Sequence, residues 1–204
     1  MFKIFVLKGH RDSTRSYEER LTLNNTEAEL AFKKYKTEIL EEYLKQNGFL
    51  NWKTNAYVRR NPIDLLECID LQKELRQSKT FTVNIGLMPL YVQDNPMNFE
   101  FGGRLGNFIA RRDIWWDYAN DEIAAKSFQN ITIAIDRFVF PWFIKYSDEK
   151  KFRRKLEWDE FRSHFGYFLG YHNKQWIMAL ENETGKNELI ADNIKRLKLP
   201  KELL

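Results

Sequence analysis

The sequence predicts an α+β fold, an antiparallel sheet of three or four strands packed by helices and followed by a C-terminal helical segment. Three observations lead there. Helix signals and strand signals come in separate runs instead of alternating. The stretch KTFTVNIGLM, residues 79–88, alternates apolar and polar side chains cleanly. Sixteen Phe, nine Tyr and six Trp among 204 residues supply enough large apolar surface to build a core from few positions.

In chain order, residues 1–25 read as a short strand and a charged linker. Thr26-x-x-Glu29 is a capping box, and Leu30, Tyr35, Ile39 and Tyr43 follow at near-helical spacing until Gly48, which predicts a helix over about 27–47. NAYVRR (55–60), DLLECIDLQK (64–73) and KTFTVNIGLM are the strand candidates. In the last, Phe81, Val83, Ile85 and Leu87 share one face and Thr82, Asn84 and Gly86 the other. The short link from Glu74 to Ser78 favours an antiparallel hairpin, with one apolar and one polar sheet face.

Leu105, Phe108 and Ile109 predict a short helix after the paired glycines Gly102 and Gly103, which are read as permitting a bend. Asn120, Asp121 and Glu122 open a long helix whose stripe is Ile123, Phe128, Ile131, Ile135, Phe138 and Trp142, with Pro141 expected to kink or break it near Phe140. Ser147 to Glu149 start another helix carrying Phe152, Leu156 and Phe165 inward. A further helix over NKQWIMALENETG closes at Gly185, and the last runs from Asn187 to before Pro200. The organisation expected is an N-terminal strand and linker (1–25), an α+β core domain (26–146) and a C-terminal helical extension packed on that core (147–204).

The order of LKQNGF, YVRR, IDLQK, FTVNIG, RLG, WW and PWF, over about residues 30–146, resembles domain-of-unknown-function family 4304, whose members are mostly bacterial. That resemblance implies the α+β fold and a cytoplasmic setting. It implies no reaction, cofactor or catalytic residue.

Charge and composition exclude several functions. Thirty-three basic against twenty-nine acidic side chains give a net +4, mixed along the chain, too little to imply a nucleic-acid partner. KKFRRK, residues 150–155, reads as the solvated face of a helix. The single Cys68, in an apolar run, rules out an internal disulfide and a cysteine metal cluster, and suits a reducing compartment. No window offers the roughly 18 uncharged apolar residues of a membrane span, and MFKIFVLKGHRD is too short for a signal peptide. A cytoplasmic protein without membrane or cofactor is expected.

Catalytic chemistries mostly fail. His10, His164 and His172 form no ligand-spaced pair, so no metal site is expected, and the adjacent Ser163 and His164 point apart on a helix. GGRLG is no phosphate loop. Asp64, Glu67, Asp70 and Lys73 suggest a metal nuclease, but strand alternation puts Glu67 and Lys73 opposite Asp70 and divides the set.

The most informative stretch is GGRLGNFIARRDIWWDY, residues 102–118. Trp115 and Trp116 are neighbours and cannot both point inward; Trp116 is taken as the rim residue, beside Arg104, Arg111 and Arg112. In one reading Arg104 pairs with Asp70 and both indoles pack. In the other, Gln72, Asn84 and Arg104 edge a polar pocket with Trp116 alongside. The leading functional expectation is a non-enzymatic binding module for another protein, an adaptor or immunity-type inhibitor, using Trp116 and Arg112. The rival is an enzyme or small-ligand protein in which Gln72, Asn84 and Arg104 bind substrate and Asp70 is the base, with a raised pKa.

Overall fold

The computed structural model describes residues 17–75, 78–92, 101–158, 170–181 and 184–204. The elements, in order, are α1 (Tyr17–Tyr35), a π-helical turn (Lys36–Glu41), α2 (Glu42–Gln46), β1 (Leu50–Lys53), β2 (Ala56–Arg60), β3 (Leu65–Lys73), β4 (Thr80–Pro89) and β5 (Phe101–Arg104). There follow α3 (Leu105–Ala110), β6 (Trp116–Asp117), α4 (Asp121–Ala134), a second π-helical turn (Ile135–Val139), α5 (Phe140–Tyr146), α6 (Glu149–Trp158), α7 (Gly170–Glu181), α8 (Lys186–Arg196) and a 3-10 turn (Lys201–Leu203).

The fold is α+β with an antiparallel sheet, helices against it and a C-terminal helical segment. Among the described residues the sheet has six strands, not three or four. Five run in the order β1-β2-β3-β4-β5, and β6 pairs with the start of β4, where β5 does not reach. The three additional strands have four, four and two residues; β1 pairs along β2, and β5 and β6 pair along β4.

Alternation sorts the side chains as the sequence suggested along β4. Its inner face carries Phe81, Val83, Ile85 and Leu87, all fully buried. Phe32 of α1 and Phe128 of α4 meet Phe81 there, with ring centroids 5.1 and 5.0 Å apart, and Phe32 also touches Phe128 at 5.3 Å. Burying one phenylalanine contributes about 1.5–3 kcal/mol, so this triad anchors the helices to the sheet. The charged residues that also face inward are paired. Glu67 receives Arg59 Nε at 2.6 Å, and the guanidinium lies 4.6 Å from the Phe49 ring centroid; Lys73 pairs with Glu29 above the Phe32 ring.

The helices differ from expectation in two places. The first begins at Tyr17 instead of Glu27, so the capping box at Thr26 lies inside it and does not mark its start. The expected N-terminal strand therefore gives way to helix over 17–25, and its remainder lies outside the described residues. Pro141 does not break the long helix. The π-helical turn just before it widens the backbone, and α5 continues to Tyr146 with the proline in its first turn. The Asn120 cap is present, its Oδ1 accepting from the Ile123 backbone at 2.9 Å, although Ile123 itself is 36% exposed. Asp148 caps α6 through the Lys151 amide at 3.0 Å. Phe165 lies outside the described residues.

The outer face is polar at one end only. Toward the β2 C-terminus it carries Val58, Leu66, Cys68 and Met88, all buried. At that end α8 and the chain after it are tied to the strands: Asn193 Nδ2 donates to the Leu90 and Val92 carbonyls at 2.8 and 2.9 Å, and Arg60 Nη1 to the Leu203 carbonyl at 2.6 Å. Burial pushes the Cys68 thiol well above its ordinary value, which leaves it unreactive.

Candidate functional site

The other end of the outer face is the candidate site. Strand register sets Lys53, Ala56, Asp70, Asn84 and Arg104 side by side across β1 to β5. Lys53 joins this row because the β1–β2 register shifts between Asn51 and Lys53, and a bulge turns a side chain to the other face. Its ammonium then sits 4.0 Å from the Trp52 ring centroid. Trp52 Nε1 donates to the Leu197 carbonyl at 3.1 Å, which fixes the indole.

Asn84 is the centre of the row. Its amide donates to Asp70 Oδ2 and to Gln72 Oε1, each at 3.2 Å. Partial burial raises the Asp70 pKa; the Asn84 hydrogen bond and the Lys53 charge oppose that shift without cancelling it.

Arg104 does not pair with Asp70. Its Nη1 bonds Asp113, and its guanidinium lies 5.2 Å from the Trp115 ring centroid. Asp113 reaches it because the 111–115 loop doubles back over α3. Gly106 permits this, since a Cβ there would collide with the backbone of Arg112 and Ile114. Thr82 Oγ1 donates to the Ile114 carbonyl at 3.1 Å and pins the loop to the outer face. Arg111, at φ 53°, ends α3 and sends the chain back. Gly102 serves close approach as well, not the expected bend: a Cβ there would strike the backbone of Ile85 and Gly86 on β4.

The roles of the two tryptophans are exchanged. Trp116 pairs with Phe81 in register, shares its inner face and is only 8% exposed, whereas Trp115 points outward and is 36% exposed. Both conform to alternation; the sequence gives no sign of which parity is inward until β6 is paired with β4. The structure thus brings Asp70, Gln72, Asn84 and Arg104 together, keeps Arg112 exposed on the adjoining loop, and removes Trp116 to the core. Lys53, Asp113 and Trp115 are the neighbours that sequence reasoning missed.

Glu67 and Lys73 do face away from Asp70, so the nuclease set stays divided. Among the described residues no group of three or more His, Cys, Asp or Glu is placed to hold a metal ion, and no helix is long and apolar enough to cross a membrane. His10, Ser163 and His164 lie outside the described residues, as does the side chain of His172.

The sequence pattern of one protein family, described as domain of unknown function (DUF4304), matches residues 40–145. The chain belongs to that family. The DUF4304 segment includes every strand among the described residues, all of the polar row and the 111–115 loop; α1 and the helices from α6 onward lie outside it. No curated protein and no solved structure matches the chain.

Proposed function

We propose that this DUF4304 protein is a non-enzymatic binding module for another protein, an adaptor or immunity-type inhibitor of the cytoplasm, and that it docks through the open end of its outer sheet face. One observation carries the reading. An exposed indole, Trp115, is braced by an arginine that Asp113 in turn fixes, beside a hydrogen-bonded row built on rigid strands. Tryptophan and arginine dominate binding energy at protein interfaces, and a surface already ordered loses little entropy on docking. The exposed Arg111 and Arg112 extend this surface and suit an acidic rim on the partner. A lone, buried cysteine accords with a reducing compartment.

The test is affinity capture of the tagged protein from its own cells, beside Trp115→Ala and Arg112→Glu variants. A stoichiometric partner absent from both variants supports the reading. Retention of the partner by both removes this face from it.

The raised Asp70 pKa favours a second reading, a small-ligand or enzyme site in which Asp70 is the base and Gln72, Asn84 and Arg104 hold the substrate. A thermal-shift screen of the wild type and Asp70→Asn separates it from the first. A ligand that stabilises only the wild type would establish it, and a bare screen beside a captured partner would end it.

A further inference from the structure

Away from the polar row, where α1 passes over the β1–β2 turn, a cleft of about 610 Å³ opens, within the range of pockets that hold small ligands. Its apolar lining comes from Leu30, 63% exposed, and from the buried Phe32. Around them stand three lysines, Lys33, Lys36 and Lys73, against one carboxylate, Glu29.

The charges of two lysines are already matched. Lys73 pairs with Glu29, which also accepts from Tyr118 Oη at 3.1 Å. Lys36 is buried in the first π-helical turn, where its ammonium contacts Glu41 at 2.9 Å and the Thr54 carbonyl at 2.6 Å; Tyr57 Oη donates to the same Glu41 oxygen at 3.0 Å. Lys33 has no carboxylate partner among the described residues, and neither the Thr54 hydroxyl nor the Asn55 amide has a hydrogen-bond partner there. The cleft therefore has one uncompensated positive charge, two neutral polar groups of the β1–β2 turn facing it, and an apolar body. An ammonium has three protons, so Lys36 and Lys73 each keep at least one for a ligand.

We infer that this cleft binds a small amphipathic monoanion, a carboxylate on an apolar body, with the carboxylate at Lys33 and the body against Leu30 and Phe32. A dianion would exceed the single unmatched charge, and a neutral molecule would leave Lys33 unanswered. The inference stands apart from the proposed docking face, and Trp115→Ala leaves it untouched.

The probe is 1-naphthoate, compared with the uncharged 1-naphthalenemethanol and with inorganic phosphate, read by amide chemical shifts and by titration calorimetry. Naphthoate is expected to move the amides of residues 26–36, 54, 55 and 73, and to bind at least about tenfold tighter than either comparator. Lys33→Glu, a surface change whose folding is checked by the remaining amide spectrum, is expected to weaken naphthoate by about tenfold or more. No shifts at these amides, equal binding of the neutral analogue, binding of phosphate as tight as naphthoate, or an unchanged affinity in folded Lys33→Glu would each overturn the inference.

Discussion

The two faces of one sheet treat polar groups differently. On the inner face a charge is tolerated only with a dedicated partner. Glu67 is almost fully buried, and Arg59, which satisfies it, is held by the Asn47 carbonyl at 2.6 Å and by flanking aromatic rings. On the outer face Asp70 has a shared amide and a more distant lysine, and its neighbour Gln72 is exposed. One strand, β3, supplies both arrangements three residues apart. A buried ion pair is kept by its surroundings, whereas a half-buried polar row keeps bonding capacity for something outside the chain.

The sharpest way to test the contrast is the adjacent pair of tryptophans. Trp116→Ala empties a site beside Phe81 and is expected to cost about 3–5 kcal/mol in urea unfolding, while Trp115→Ala costs no more than about 0.5 kcal/mol. Similar losses in both would mean that the two faces are packed alike. Next in size is Arg59→Ala, which leaves the Glu67 carboxylate buried without its cation; a loss of about 3 kcal/mol is expected by the same measurement. Asn84→Ala removes the donor shared by Asp70 and Gln72, but these groups reach water, so about 1 kcal/mol is expected.

The smallest effect is the most diagnostic. A carboxyl whose folded pKa is raised makes the fold lose stability as pH climbs from the ordinary aspartate value, near about 4, through the raised one. Asp70→Asn removes that loss while keeping an acceptor for Asn84. The variant should therefore be the more stable protein at neutral pH, with the difference vanishing below about pH 4. Glu29, Glu41 and Asp64, whose pKa values are lowered by cationic partners, act in the opposite direction and destabilise both proteins in acid. They cancel in the difference curve, which urea midpoints at a series of pH values would trace.

Much of the fold was legible because it rests on periodicity. The parity of Phe81 to Leu87, the cap at Asn120 and the short helix from Leu105 are local signals, and local physics honours them. The short strands were not. FGGR has two glycines and little strand propensity, and pairs only because β4 presents a free edge. LNWK does alternate, and that pattern was available to be read. In the site, Asp70, Gln72 and Asn84 follow from alternation across a hairpin. The Arg104 partner depends on a loop reversal at Gly106, and Lys53 depends on a bulge; neither is encoded in a spacing. The start of the first helix was misjudged because a capping box is a local motif that a longer helix can override.

The attachment of α8 to the sheet has a consequence for the order of synthesis. Val58, Leu66, Cys68 and Met88 leave the ribosome well before the segment tied beside them, from Lys186 to Leu203. At roughly 5–20 residues per second, this apolar end of the outer face waits about 10 s for it. During that interval the nascent chain presents to the cell an adhesive patch that the finished molecule hides, and its yield in vivo depends on what shelters that patch meanwhile.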